Sequence, residues 1–507
     1  MLRYVRSRVM GLVGVLAVFA VGCGAADPGV TATRSRAGGG GSAGGGELIP
    51  TDSTVPGGTV PVEPVYDIIP GVVSFGDNKP AQDYDGFLTQ AFGDIQAFWD
   101  LAYPEAYGAS FEKLSGGIYA AFPERTEPIP GCGTDSSSYE DVANYGAFYC
   151  IAGDFMAYDD ASLLPSLVAE LGKEAVAVVL AHEFGHAVQA RSGEWENPVV
   201  LKEQQADCFA GAWASHVATG GSDLIRFDDS DVRAGIIAMI NVRDPIEGDG
   251  LADPQAHGTG FDRVGAFQDG FEGGVVRCAT FFDEKRLDTL VDIQFDATDP
   301  NAGNLPLIDP APDAELGPAD IVTLIPASLD FFWVDLAAKN GVPFTPPTFT
   351  AFPGAGPFPT CAGIDESAYA SNVVFCPSDN TIYWDQDSML SLSLDPLTGD
   401  MSVGYLFSNA YSDAIQTALN SQRLSEPRAL FNDCLTGAWV ASIVPPAPEE
   451  SPVFLSAGDL DEAIITAIGR SDATTDTNIV GTAFEKIDAF RTGVQGGLNV
   501  CDGAIPR

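Results

Sequence analysis

The chain is poor in histidine and in basic side chains: 507 residues contain four histidines, none of them after His257, and 25 lysines and arginines against 70 aspartates and glutamates. The formal net charge of −45 repels phosphate backbones and anionic headgroups, so nucleic acid is excluded as a natural partner and the acidity reads as a solubilising surface. No two cysteines form a CxxC pair, which argues against a cysteine-ligated structural metal. Where histidine is this scarce, two of them close together carry information.

The apolar run from Val9 to Gly22 follows Arg3, Arg6 and Arg8 and is too short to span a membrane comfortably, so residues 1–22 read as an export signal. The run ends in "AVGC", which resembles a lipobox with Cys23 as the lipidated residue, although Ala20 stands where leucine is commoner. Ordinary cleavage a few residues later is the alternative. Residues 23–80 are rich in Gly, Ser and Pro and have the composition of a flexible tether, and nothing in them resembles a metal-capping cysteine switch. The expected location is outside a bacterial cell membrane, with the chain held by a lipid at Cys23 or released. Membrane contact is expected through that anchor alone.

Beyond the tether the chain repeats itself. "DCFAGAWAS" (207–215) returns as "DCLTGAWVA" (433–441), and "GTGFDRVGAFQDGFEGGVVRC" (258–278) returns as "GTAFEKIDAFRTGVQGGLNVC" (481–501). "FYCIAGDFMAYDD" (148–160) resembles "VFCPSDNTIYWDQ" (374–386), and Phe98-Trp99 returns as Phe332-Trp333. Similar blocks in the same order indicate a tandem duplication, with repeats at 81–285 and 317–507 and an acidic, Pro-rich linker at 286–316. If each repeat is self-contained, export predicts the disulfides Cys132–Cys150, Cys208–Cys278, Cys361–Cys376 and Cys434–Cys501.

Within repeat one, "PSLVAELGKEAVAVVLAHEFGHAVQARS" (165–192) is rich in Ala, Val and Leu and stops at Gly193, which predicts a helix. His182 and His186 are four residues apart, so their rings share one face, and Glu183 lies beside the first. A second helix is predicted over 199–217, with Glu203 and Asp207 also four apart. Two imidazoles and a carboxylate leave a fourth position for water on zinc, and HExxH adds a glutamate to take that water's proton. Asp207 is placed to orient a ligand histidine through its distal ring nitrogen. The plain alternative is a helix with incidental polar residues. A β-hairpin is predicted around Cys150, with an edge strand near Phe155–Tyr158.

"HEFGHAVQ", "EQQADCFAGAWA" and "HGTGFDRVGAFQDGFEGG" together resemble the bacterial putative neutral zinc metallopeptidase family, relatives of the thermolysin-like gluzincins. The resemblance spans repeat one, and Ala187 departs from the histidine usual after the motif. It implies one zinc on His182, His186 and Glu203, with Glu183 as general base and Asp207 orienting a ligand. It also places His257 in the site, either donating to the developing oxyanion or capping the following helix; Tyr149 and Tyr158 are rival donors, and His216 reads as a surface residue.

Repeat two reads differently at the same positions. Asn409, Ala410 and Asp413 replace His182, Glu183 and His186, and Ala429 replaces Glu203, while Asp433 and Cys434 remain. The expected fold is α+β, mainly helical, a zincin-like domain in tandem with a copy that lacks the metal site. The expected function is a zinc metalloendopeptidase acting on a peptide or protein substrate. The alternative is a non-catalytic envelope lipoprotein with a structural zinc that binds peptide or cell-wall components, for which an intact Glu183 has no use.

Overall fold

The computed structural model describes residues 66–241, 258–287, 289–291, 304–315, 317–395, 397–445, 450–456, 458–471 and 480–504. They are mainly helical with some sheet, an α+β protein. Two compact units divide them: one is the described part of 18–238 with 269–283, the other the described parts of 239–268 and of the residues from 284 onward. His257 and Cys23 lie outside the described residues.

The first unit opens with helix α1 (Asp85–Tyr107), which carries Phe98 and Trp99. Three strands follow: β1 (Gly117–Ala121), β2 (Ala147–Cys150) and β3 (Phe155–Asp159). β3 pairs parallel with β1, Gly117 facing Phe155, and antiparallel with β2, Cys150 facing Phe155. The predicted hairpin is therefore β2–β3, but Phe155–Tyr158 is the central strand and not an edge. Both flanks of β3 are taken, so no peptide can add there. The outer side of β2 is the rim of this sheet instead.

At the end of β3, the Asp159 carboxylate accepts from the amides of Ala161, Ser162 and Leu163, satisfying the first turn of α2 (Leu163–Leu171). Here the structure departs from the single predicted helix over 165–192: Gly172, at φ 91°, ends α2 and restarts the chain as α3 (Lys173–Ser192). Only glycine enters that backbone region at little cost. Gly193 ends α3 in the left-handed conformation. α4 (Val199–Ala218) follows Pro198. α3 and α4 bury residues on nearly every face, as core helices do. Their approach is close because both contact residues are small: a side chain at Gly185 would come within 3.1 Å of the Ala206 Cα. Next come α5 (Asp229–Asn241), which belongs to this unit up to residue 238, and α6 (Gly260–Phe281), which belongs to it from residue 269. A side chain at Gly270 would overlap the carbonyl of Cys208, on α4.

The second unit contains α7 (Ile321–Lys339), β4 (Thr348–Phe352), β5 (Val373–Cys376) and β6 (Thr381–Asp385). By length and apolarity α7 passes the test for a membrane span, yet it buries Ile325, Leu329 and Trp333 within the unit. β6 pairs parallel with β4 and antiparallel with β5, the connectivity of the first sheet. α8 (Gln386–Leu394) starts from Asp385, which accepts from the amides of Asp387 and Ser388. α9 (Gly399–Ala418), α10 (Ser425–Ile443), α11 (Asp459–Gly469) and α12 (Ala483–Gly496) complete it. Gly493 on α12 lies against the carbonyl of Cys434, as Gly270 does against Cys208. Each unit also buries a tryptophan whose indole N–H donates to a helix side chain: Trp213 to Asp94, and Trp439 to Ser328. The eight cysteines among the described residues form Cys132–Cys150, Cys208–Cys278, Cys361–Cys376 and Cys434–Cys501.

Candidate metal centre

α3 and α4 bring His182, His186 and Glu203 together, with one donor atom from each lying within 4.8 Å of the others. All three are buried. His182 Nε2 is 3.2 Å from Glu203 Oε2, and His186 Nε2 is 3.4 Å from Glu203 Oε1. The other ring nitrogens are engaged elsewhere: His182 Nδ1 is 2.7 Å from Asp207 Oδ1, and His186 Nδ1 is 2.9 Å from Gln189 Oε1.

Hydrogen-bond roles follow from these contacts. An ionised carboxylate and an amide oxygen only accept, so each Nδ1 carries its proton and donates. A neutral imidazole then presents a bare lone pair at Nε2. Both lone pairs face the Glu203 carboxylate, which also only accepts, so a positive charge belongs between them. The separations suit an ion: zinc bonds of 2.0–2.2 Å in a tetrahedron put neighbouring ligand atoms about 3.3 Å apart. The donor set therefore fits zinc.

Glu183 is one residue along α3 from His182 and is half-buried. Tyr149, on β2, donates to Asp154 Oδ1 at 2.9 Å, and burial followed by that hydrogen bond pushes its phenol up to about 12, so it stays protonated at neutral pH. Tyr158 is wholly buried, with a hydroxyl that meets no hydrogen-bond partner among the described residues. His216 packs its ring 5.2 Å from that of Phe98, apart from the three clustered residues.

Two neighbours were not singled out in the sequence. Gln189 lies one turn beyond His186, and its i+3 spacing on a helix was the available signal. Trp195 sits in a short 3-10 turn, Glu194–Glu196, with its ring 6.2 Å from that of His186 and the Lys202 ammonium 4.6 Å from its centre. Only the tertiary fold brings it there.

In the second unit Asn409 Nδ2 donates to Asp433 at 2.7 Å, and Arg428 pairs with Asp413 at 2.7 Å. A separate carboxylate group there, Asp400, Asp459 and Glu462, has donor atoms within 4.8 Å of one another. Burial, then mutual repulsion, pushes Asp459 and Glu462 well above the usual carboxylate range.

Residues 119–281 match the family described as putative neutral zinc metallopeptidase. An uncharacterized protein of Escherichia coli K12, YpfJ, is 31% identical over 204 residues, covering 35% of this chain and 67% of that protein. An uncharacterized protein of Mycobacterium tuberculosis H37Rv, Rv2575, is 32% identical over 177 residues, 30% of this chain and 58% of that protein. No solved structure matches the chain.

Proposed function

The chain belongs to the putative neutral zinc metallopeptidase family, and from that premise we propose that its first repeat is a zinc-dependent endopeptidase acting outside the cell on a peptide or protein. Membership supports a peptidase role at the level of hydrolase. The observation that carries the finer reading is the pair of imidazole lone pairs facing the Glu203 carboxylate, with both distal nitrogens already occupied.

His182, His186 and Glu203 would hold one ion. Zinc supplies Lewis acidity there, lowering the pKa of a water and polarising a carbonyl. Asp207 keeps the proton on Nδ1 of His182 and fixes the ring. Glu183 takes a proton from the attacking water and returns it to the leaving amine. His257, by its place in the family motif, is the proposed donor to the oxyanion.

We read repeat two as a degenerate copy without the zinc site. The matched sheet connectivity, the paired disulfides and the two glycine contacts support common descent of the repeats. Its altered ligand positions support the loss. An anchor at Cys23 is part of the same proposal.

The test measures zinc content and cleavage of a broad peptide library for the wild type and Glu183→Gln. We expect one zinc per chain in both, and a loss of roughly 10²- to 10⁴-fold in kcat/KM for the variant. Zinc binding without cleavage by the wild type overturns the peptidase reading.

A further inference from the structure

We propose that Gln189 is a positioning residue for the metal ligand His186, and that Gln205, anchored on the backbone carbonyl of Cys278, holds Gln189 in the required orientation. This rests on the zinc site proposed above.

The geometry begins at two carbonyls, which can only accept. Gln205 Nε2 donates to the carbonyl of Cys278 at 3.2 Å, so its Oε1 points the other way. Gln189 Nε2 donates to that Oε1 at 3.0 Å and to the carbonyl of Lys202 at 2.6 Å. Both acceptors fix the Gln189 amide with its nitrogen toward α4 and its oxygen toward His186. Gln189 Oε1, 2.9 Å from His186 Nδ1, can therefore only accept, and His186 must hold its proton on that nitrogen. The Nε2 lone pair is thereby committed to the face shared with Glu203. Gln189 and Gln205 are buried, 0% and 1% exposed, so water does not compete for these bonds.

The relay gives His186 what Asp207 gives His182, with a neutral amide in place of a carboxylate. It also reaches a covalent tie, since Cys278 is bonded to Cys208 on the helix that carries Glu203.

The second unit separates the two duties of this glutamine. Gln416, at the matching place in "AIQ", donates from Nε2 to the carbonyl of Arg428 at 2.9 Å, as Gln189 does to Lys202. Its oxygen instead accepts from the Ser421 hydroxyl at 2.9 Å. The amide-to-carbonyl bond thus joins the helices in both repeats, and the oxygen-to-imidazole bond occurs in the first.

The experiment compares Gln189→Met, Gln189→Glu, Gln205→Met and Gln416→Met in the full exported chain. It reads zinc affinity by chelator competition, the visible absorption of the cobalt-substituted protein, and thermal unfolding without metal. Gln189→Met should weaken zinc binding by about 10- to 100-fold and shift the cobalt bands. Gln189→Glu keeps an acceptor opposite Nδ1, so it should hold zinc more tightly than Gln189→Met even where it is equally destabilised. Gln205→Met leaves Gln189 itself intact and should weaken zinc by a smaller factor, which keeps the proposal testable if Gln189→Met does not fold. Gln416→Met should lower stability without moving zinc affinity.

Wild-type zinc affinity and unchanged cobalt bands in both Gln189→Met and Gln205→Met overturn the inference alone. The inference also fails, with the zinc site left standing, if Gln189→Glu loses zinc as fully as Gln189→Met. Failure of the wild type to bind zinc at these residues overturns the proposed site, and the inference with it.

Discussion

α3 and α9 hold the same place in two units of like connectivity and solve opposite electrostatic problems. On α3, two imidazoles turn lone pairs toward the Glu203 carboxylate, a buried arrangement of acceptors that calls for a cation. On α9, protein groups supply the donors. Asp433 accepts from Asn409, from the Tyr405 hydroxyl at 2.5 Å and from the Lys486 ammonium at 2.7 Å, while Asp413 takes the Arg428 guanidinium and the Asn432 amide. An aspartate at matching places in both units need not have the same task. Asp207 orients an imidazole, and Asp433 closes an internal salt bridge.

Loss of Glu183 is the largest effect expected, because on the proposed mechanism it would remove the proton carrier and leave the ion; Ala410 holds the corresponding place on α9. The second is on stability. Lys486→Met leaves Asp433 buried without its cation and should cost about 3–5 kcal/mol by denaturant unfolding. Burial already holds the Asp433 carboxyl above its usual range despite Lys486, so the variant's deficit should shrink as pH falls and the acid takes up a proton. An unchanged midpoint at neutral pH would mean that the pair contributes nothing.

Third, Asp207→Asn should weaken zinc by about 10- to 100-fold, about 1.4–2.7 kcal/mol, and Asp433→Asn should leave zinc affinity where it was. Equal effects from the two would break the proposed assignment of the metal to the first unit alone. The fourth effect concerns acidity alone. Asp231, on α5, is pushed up from 3.8 to about 7, by burial first and then by Glu174 and Asp228. A raised carboxyl contributes stability that is complete below its ordinary value and is lost as pH climbs through the folded one. Metal-free stability should therefore fall between about pH 4 and 7, and Asp231→Asn should flatten that slope.

What the sequence made legible was whatever depends on spacing along one element or on comparison between its two similar halves. The four-residue interval put His182 and His186 on one face, and the duplicated cysteines gave a pairing that matches the bonds formed. What it hid came from contacts distant in the chain. The central position of Phe155–Asp159 depends on parallel pairing with Gly117–Ala121, which no local pattern announces. The break at Gly172 was hidden because apolar residues continue on both sides of it, and a lone glycine within a helical pattern does not by itself mark an end. The direction of the Gln189 amide depends on a carbonyl one helix away.

The glycines at 270 and 493 carry a last consequence. Each occupies a spot where a methyl would collide with the carbonyl of a half-cystine, one in the unit with the clustered histidines and one in the other unit. On the proposed duplication, room for the backbone would have outlasted the ligands. A search keyed on HExxH would pass over residues 317–507 of this chain, whereas one keyed on DCxxGxW followed by a glycine eight residues before the partner cysteine would find both segments.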